Sequence, residues 1–204
     1  MSPGRPRDAA IDAAVLDATV AVLRDRGWHG FALETVATVA GTTKAAIRRR
    51  WPQRQRLVID ALGTLLADPP IPDNGCTRCD LIQSADLLAD LLHDRLPAGV
   101  LAPLVADCVD PDTKQYLVDT LVAPSRAAAT TAVERAVRRG ELRPDVDPAM
   151  VVDLLAAVVY QRALFGDAPQ DPRTLVDMLL RGVAVDFERL LWISRQPKEL
   201  RHRH

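Results

Sequence analysis

The amino-acid sequence predicts an all-α protein with an N-terminal three-helix domain and a larger C-terminal helical domain. Ala, Leu and Val are abundant among the 204 residues, and only 4% are aromatic, a composition that favours helices over sheets. Apolar residues recur at helical spacing, and no segment has the pattern of a strand. Asp-Pro pairs at 110–111, 147–148 and 171–172 mark helix starts, because Asp caps helices and Pro favours their first position.

The first helix is predicted over residues 9–26. One apolar stripe runs along it at intervals of three or four residues and consists of Ile11, Val15, Ala18 and Val22. Gly27 follows the last polar residues, and glycine commonly ends helices because it accepts a left-handed backbone. The stripe therefore predicts an amphipathic helix that packs on one face only.

Two short helices are predicted next, over residues 33–39 and 43–50. The turn between them is Ala40-Gly41-Thr42, and Thr42 or Thr43 is a suitable N-cap for the second helix. Pro52 ends that helix, because the residue before a proline is pushed out of the α region. Short helix, glycine turn and short helix together are the pattern of a helix-turn-helix.

The second short helix has an apolar face and a basic face. At 100° per residue, Ala46 and Ile47 face inward, and Trp51 follows to pack beneath them. The outward face consists of Lys44, Ala45, Arg48 and Arg49. Arg donates two hydrogen bonds to guanine, Thr and Lys reach phosphates or base edges, and a small residue permits close approach. This face suits the major groove of DNA.

Basic residues are concentrated near the N-terminus, although the formal net charge is −1. Residues 1–58 hold ten basic and five acidic residues, whereas the remainder holds 16 basic and 22 acidic ones. Residues 42–59 contain six basic residues and no acidic one. A compact basic cluster on an otherwise acidic protein indicates a polyanion site, although a solvated helix face is the commoner meaning of a charge run.

Many positions in order now resemble the DNA-binding domain of the tetracycline-repressor-like (TetR) transcriptional regulators. The matching segments are Gly4-Arg5-Pro6-Arg7, Gly27-Trp28-His29-Gly30-Phe31 and residues 36–52 from Val-Ala-Thr-Val-Ala-Gly to Arg-Trp-Pro. The resemblance covers residues 4–58 and extends more weakly to residues 138–145 and 154–165. It implies a DNA-binding domain over residues 1–58, with residues 1–8 as an arm.

The basic face and the resemblance together predict a set of DNA-contacting residues. The set is Arg5, Arg7, Thr42, Thr43, Lys44, Ala45, Arg48, Arg49, Arg50, Trp51 and Arg54. Two positions depart from the family. Arg48 stands where the family usually has a Tyr that contacts the DNA backbone, so it reads either a phosphate or a base. Ala32 stands where a Ser or Thr usually caps the helix, a loss of ~1 kcal/mol of helix stability.

The rest of the chain, residues 59–194, is predicted to be a helical domain for ligand binding and dimerisation. A proline-rich stretch at 69–75 is the linker candidate. The predicted helices are 53–67, 79–95, 99–109, 112–139 with a bend near Pro124, 148–165 and 172–194. Residues 195–204 form a basic tail that we expect to lack regular structure. Residues 148–165 and 172–194 are apolar around most of their surface, which indicates a subunit interface as well as a core. The resemblance implies that these two helices pair with their twofold mates in a homodimer.

Candidates for a ligand pocket are aromatic or polar-tipped side chains on these apolar helices. They are His93, Tyr116, Tyr160, Arg162 and Phe165. Each of them alone is more often an ordinary core or surface residue. Arg162 has two interpretations, a rim residue of the subunit interface or a buried cation that pairs with an acid or an anionic ligand.

Other classes of function find little support in the sequence. The longest uncharged run, residues 96–106, has eleven residues, whereas a membrane span needs ~20. No secretory leader is recognisable, and three cysteines, an odd number, favour the reducing cytoplasm. Cys76 and Cys79 form a C-x-x-C pair without a second pair, which we interpret as two cysteines at a loop or helix start. No enzyme signature is present, so we expect no catalysis, cofactor or metal.

The sequence therefore predicts a dimeric DNA-binding transcriptional regulator. The resemblance implies a repressor that a small-molecule ligand releases from a pseudo-palindromic operator in double-stranded DNA. The alternative is an all-α small-molecule-binding protein that does not bind DNA. The basic face distinguishes the two, because phosphate contacts make DNA affinity fall steeply with salt.

Overall fold

The computed structural model describes residues 9–66, 69–165 and 171–201. Regular structure in these ranges is helical, and one isolated antiparallel bridge joins Leu142 to Ala184. The predicted all-α class is therefore confirmed. Arg5 and Arg7, which we predict to contact DNA, lie outside the described residues, as do residues 202–204 of the predicted tail.

Twelve α-helices lie within the described ranges. They are α1 (Ala9–Arg26), α2 (Leu33–Val39), α3 (Lys44–Arg50), α4 (Arg54–Gly63), α5 (Thr77–Asp90), α6 (Leu101–Asp107), α7 (Pro111–Leu117), α8 (Ala123–Arg138), α9 (Pro148–Phe165), α10 (Pro172–Val183), α11 (Phe187–Ser194) and α12 (Lys198–Arg201). Two π-helical turns, Leu91–Arg95 and Val118–Val122, extend α5 and join α7 to α8. The three Asp-Pro pairs cap α7, α9 and α10: each Asp side chain accepts a hydrogen bond from a backbone amide of the first turn.

The contacts divide the chain into two compact units. The N-terminal unit holds α1–α4 together with residues 96–121, and the C-terminal unit holds the remaining helices. The sequence-based division after residue 58 follows the helix-turn-helix alone, whereas packing adds the rest of α4, α6 and α7 to it. The boundary at residue 58 between a DNA-binding domain and a ligand-binding domain stays a prediction.

Two predicted segments differ from the structure. The single helix expected over residues 172–194 is two helices, because Ala184 is extended and bridges Leu142, and Asp186 then caps α11 by accepting a hydrogen bond from the Arg189 amide at 2.9 Å. The tail expected to be unstructured contains α12. The Arg201 guanidinium holds α12 by donating to the carbonyls of Gln196 and Ser194 at 2.7 and 3.2 Å.

The predicted bend near Pro124 takes the form of a π-helical turn. Pro124 lies in the first turn of α8 and has no amide hydrogen to donate to the preceding turn. The turn Val118–Val122 widens immediately before it. Thr120 of this turn lies so near α4 that a Cβ on Gly63 would stand 2.8 Å from the Thr120 methyl carbon. Glycine at position 63 therefore permits close packing within the N-terminal unit.

The helix-turn-helix is built around a small apolar core. Its fully buried side chains come from α1, α2, α3 and α4, and include Val15, Val36, Ile47, Leu57 and Ala61. α1 packs against α2 and α4, and α2 packs against α3. Val15 of the stripe predicted for α1 and Ile47 of the inward face predicted for α3 are both fully buried.

Gly41 forms the turn between α2 and α3. Its φ is +64°, and the turn is a Schellman motif, with the Thr42 amide donating to the Ala37 carbonyl at 2.9 Å and the Gly41 amide to Thr38 at 3.3 Å. A residue with a Cβ is strained at this φ even though the space around position 41 is open. The turn that sets α3 against α2 therefore requires glycine for its backbone, not for its size.

The carboxylate of Asp60 on α4 joins three helices of the N-terminal unit. It accepts a hydrogen bond from the Trp51 indole Nε1 at 2.6 Å and another from the Tyr116 hydroxyl on α7. Asp60 thereby raises the pKa of Tyr116. Two further contacts join the start of α4 to α7 and α6: Thr113 of α7 donates to Gln53 at 2.9 Å, and Gln55 donates to the carbonyl of Asp107 in α6 at 3.4 Å.

The left-handed backbone at Gly41 gives a stability prediction. Gly41→Ala should lower the free energy of unfolding by about 1 kcal/mol, because Ala is strained at positive φ. Gly41→Asn should cost less, since Asn tolerates this region. Urea titration at one fixed protein concentration measures both. Equal losses for Ala and Asn would contradict the backbone explanation.

The Asp60 contacts give a second prediction. Asp60→Asn leaves one oxygen to accept two donors and turns an NH2 group towards the other, so it should cost ~1–3 kcal/mol of stability. Tyr116→Phe removes one donor and leaves Asp60 paired with Trp51, so it should cost about 1 kcal/mol. Urea unfolding of both single variants and the double variant tests this. Fully additive losses would show that the two residues are not coupled.

Candidate nucleic-acid interface

α3 presents its basic side to solvent because its other side is fixed in the core. Thr43 caps the helix by accepting a hydrogen bond from the Ala46 amide at 3.1 Å. Ile47 is fully buried and Trp51 nearly so. The residues left exposed are Thr43, Ala45, Arg48 and Arg49, which we call the reading face. Thr42 and Lys44 flank it and are half-buried.

Arg48 and Arg49 are the cations of the reading face. Both are exposed, and neither makes a hydrogen bond or an ion pair with residues 9–66, 69–165 or 171–201. Each guanidinium presents five N–H donors in a planar fork that matches phosphate oxygens or the guanine edge. Between them, Ala45 leaves room for close approach of another surface. The arrangement is chemically suited to a polyanion that also presents hydrogen-bond acceptors on its bases.

Lys44 forms an ion pair within the helix-turn-helix, the part of the protein (residues 9–58) that we call the head. Its ammonium donates to the Glu34 carboxylate on α2, and this contact lowers the pKa of Glu34. Both side chains are partly or mostly exposed, so the pair is a weak one in water. A phosphate near Lys44 would compete with Glu34 for the ammonium.

Arg50 and Arg54 turn away from the reading face. Arg50 forms an ion pair with Asp12 of α1, and its side chain is only 13% exposed. Arg54 donates to the Trp28 carbonyl at 2.8 Å, and its guanidinium lies 4.3 Å from the centre of the Trp28 ring and 5.2 Å from that of Phe31. These two cations hold α3 and α4 against α1 and the loop that follows it.

Trp51 is also a structural residue in this arrangement. Its ring is buried and its Nε1 donates to Asp60. Sequence reasoning assigned Arg50, Trp51 and Arg54 to DNA, and it missed their partners Asp12, Asp60 and Trp28. Local spacing signals none of these pairs: two of them join residues 26 or more positions apart, and the Trp51–Asp60 pair, nine positions apart, depends on how α3 packs against α4.

The start of α2 lacks the usual side-chain cap. Ala32 has an extended backbone and makes no side-chain hydrogen bond to the helix. The Ala32 carbonyl still accepts from the Thr35 and Val36 amides at 3.1 and 3.2 Å. Glu34 in the first turn places a negative charge near the helix start, which partly offsets the missing cap.

The five candidate ligand residues lie in different surroundings. Tyr116 belongs to the N-terminal unit, where its hydroxyl donates to Asp60. Tyr160 and Arg162 are half-buried on α9, and burial raises the pKa of Tyr160. His93 is exposed on the π-helical turn that α9 contacts, and Phe165 ends α9 at 78% exposure. Among the described residues no group of three or more His, Cys, Asp or Glu side chains is arranged to hold a metal ion.

The helices α9 and α10 expose an apolar surface within the C-terminal unit. Its large exposed side chains are Met150, Leu154, Leu164, Phe165 and Met178. α9 is long and apolar enough to cross a membrane by length and composition alone, which is weak evidence for a single helix. Val151, Val152 and Leu155 of α9 are buried in the unit's core, and Asp153 pairs with Arg126 of α8. An exposed apolar surface of this kind marks a site of contact with another protein, a ligand or a membrane.

Comparison with known proteins agrees with this geometry. Residues 15–61 match the family described as bacterial regulatory proteins, tetR family, and residues 71–181 match the tetracyclin repressor-like C-terminal domain. The HTH-type transcriptional regulator AqdR of Rhodococcus erythropolis is 31% identical over 184 residues, covering 86% of each chain. The DNA-binding transcriptional repressor TetR of Mycobacteroides abscessus is 30% identical over 186 residues, covering 87% of this chain and 94% of that protein.

A solved structure extends the comparison to three dimensions. The TetR family transcription regulator SCO0332 superposes with a TM-score of 0.63 at 29% identity, covering 84% of this chain and 95% of its own. Between the two classes that the sequence left open, the DNA-binding regulator is confirmed. The chain belongs to the TetR family of DNA-binding transcriptional regulators.

Proposed function

We propose that the protein is a cytoplasmic repressor that binds a pseudo-palindromic operator as a homodimer and leaves it when a small molecule binds. The observation that carries the DNA-binding part is the reading face, where Arg48 and Arg49 are exposed and unneutralised beside Ala45. The repressor activity is that of the named relative from Mycobacteroides abscessus.

The two α3 helices of a dimer would enter successive major grooves of the operator. Half-sites for such a dimer lie about one DNA turn apart, ~34–36 Å. Thr42, Thr43 and Lys44 would contact phosphates at the start of α3, while Arg48 and Arg49 reach bases or phosphates. Arg5 and Arg7 would add contacts from the arm, in the minor groove or on the backbone.

Three residues would affect DNA binding indirectly, because they fix the position of α3. They are Arg50, Trp51 and Arg54. They attach α3 and the start of α4 to Asp12, Asp60 and Trp28. Because Asp60 also binds Tyr116, a shift of α4 would be felt by the end of α3 and by α7 together. These three residues therefore set the angle at which the reading face is presented.

Release would follow from a ligand that binds the C-terminal domain and displaces α4. The ligand must bind the released state more tightly than the DNA-bound state, since equal affinity shifts nothing. A coupling of ~1–3 kcal/mol would weaken DNA binding 5–150-fold. Tyr160 and Arg162 on α9 are the candidates that the C-terminal unit partly buries, since His93 and Phe165 are exposed and Tyr116 belongs to the N-terminal unit.

The proposed DNA contacts predict the effect of two substitutions. Arg48→Ala and Arg49→Ala should each weaken binding to a selected operator by ~1–3 kcal/mol. A base contact would relax specificity at one position, whereas a phosphate contact would weaken all sequences alike and lower the salt slope by about 1. Duplexes selected from a random pool and fluorescence anisotropy at several salt concentrations measure this.

A matched control is Arg138→Ala, which removes an exposed arginine from α8 in the C-terminal unit. It should leave operator affinity unchanged. Wild-type operator affinity for both the Arg48 and the Arg49 variant, or an equal loss of affinity in the Arg138 variant, would overturn the assignment of the reading face.

The exposed surface of α9 and α10 predicts the oligomeric state. Met178→Asp should dissociate the dimer, because a charge buried in an apolar interface is strongly unfavourable. Met178 is 70% exposed in the single chain. Val109, at 86% exposure in the N-terminal unit, supplies the control Val109→Asp. Light scattering at micromolar concentration should give a dimer for the wild type and the Val109 variant. A monomeric wild type would refute the proposal.

A further inference from the structure

Two cysteines at the start of α5 form a cluster that the proposed function does not use. Cys76 is the N-cap of this 14-residue helix, and its Sγ accepts a hydrogen bond from the Cys79 amide at 3.4 Å. The two thiols are free and lie three positions apart at the helix start. Cys76 is fully buried, whereas Cys79 is half-buried. Two thiols at one helix start, of which one is more accessible, are the arrangement of an attacking and a resolving thiol.

Cationic groups surround the more accessible sulfur. The Arg201 guanidinium of α12 donates to the Cys79 Sγ at 3.3 Å. Arg78 is adjacent and is itself fixed by a two-pronged ion pair with Asp177, at 2.6 and 3.1 Å. The hydrogen bond from Cys76, together with these two arginines, lowers the pKa of Cys79 to about 7, against the opposing effect of burial. The pKa of Cys76 is raised, because its proton is held in that hydrogen bond and the side chain is buried.

We propose that Cys76 and Cys79 are a reversible thiol–disulfide site that hydroperoxides oxidise. The Cys79 amide already donates to the Cys76 sulfur, the Arg201 guanidinium faces the Cys79 sulfur, and the C-x-x-C spacing is one that is found in redox proteins. Cys108 provides a contrast within the same chain. It is buried and single, and burial beside Asp110 and Asp107 raises its pKa.

The chemistry has two steps. The Cys79 thiolate attacks one oxygen of the hydroperoxide: an S–O bond forms, the O–O bond breaks, and the alkoxide leaves with the proton that Cys79 lost, as an alcohol. The Cys76 sulfur then attacks the Cys79 sulfenic acid. An S–S bond forms, the S–O bond breaks, and hydroxide takes the Cys76 proton to become water. Two thiols are oxidised to one disulfide while the hydroperoxide is reduced to alcohol and water.

Oxidation would change the contacts of the C-terminal helix. A disulfide sulfur carries no charge, so Arg201 would lose the thiolate that it faces at Cys79. Its remaining bonds are those to the carbonyls of Gln196 and Ser194. Because α12 has only four residues and none of them is buried, it depends on Arg201 for its position. The oxidised protein should therefore exchange amide hydrogens faster over residues 195–201.

The test uses the full-length, fully reduced protein and a small excess of hydrogen peroxide at neutral pH. The intact mass should fall by about 2 Da, the mass of two hydrogen atoms, and dithiothreitol should restore it. Peptide mapping should place the disulfide between Cys76 and Cys79. Cys108→Ser should behave as the wild type, and Cys79→Ser should abolish the loss. An unchanged mass, or a disulfide through Cys108, would overturn the proposal.

Two further variants test the roles within the site. Cys76→Ser keeps an N-cap and should stop at a Cys79 sulfenic acid, a gain of about 16 Da that dimedone traps. Arg201→Ala should slow oxidation several-fold, whereas Arg195→Ala, which removes an exposed arginine from the same segment, should not. Equal rates for the two arginine variants would remove Arg201 from the site. None of these readouts depends on DNA binding.

Discussion

The position of the reading face depends on one carboxylate, that of Asp60. α3 is seven residues long, and a helix of two turns has little stability of its own. Its orientation comes from its neighbours: Ile47 in the core on one side, and Trp51, held by Asp60, at its end. The same carboxylate accepts a hydrogen bond from Tyr116. It therefore also joins the helix-turn-helix to α7, a helix that follows it by about fifty residues in the sequence.

The basic residues of the head are divided between folding and binding. Arg50 pairs with Asp12, and Arg54 stacks on the Trp28 and Phe31 rings. Arg48 and Arg49, in contrast, stay exposed. A count of charges over residues 42–59 therefore overstates the number of exposed cations that have no partner among the described residues. Non-specific affinity for DNA grows with the number of phosphates neutralised. A head with few exposed cations would therefore have low non-specific affinity and would depend on a few well-placed hydrogen-bond donors.

Sequence patterns predicted what is local and missed what is long-range. The bounds of α1 and α2, the Thr43 cap, the Gly41 turn and the three Asp-Pro helix starts follow from residues a few positions apart. The partners of Arg50 and Arg54 lie 26 or more positions away, and Asp60, nine positions from Trp51, meets it only through the packing of α4 against α3, so no spacing reveals these pairs. The break between α10 and α11 was missed although Asp186 is a good N-cap, because the apolar pattern continues through it and the bridge from Ala184 to Leu142 is non-local.

Lys44 shows how the fold could contribute to discrimination between DNA sequences. Its pairing with Glu34 is exposed, so the pair is weak and a phosphate would displace the carboxylate at small cost. Glu34 would then lie unpaired beside the negative backbone, and this repulsion would oppose binding at every sequence. Base contacts from the two arginines, worth ~1–3 kcal/mol for each bidentate pair, are large enough to offset it at a matching site. The acid that pairs with Lys44 in the free protein would thus lower the affinity for every sequence alike, and only a site with good base contacts would offset that loss.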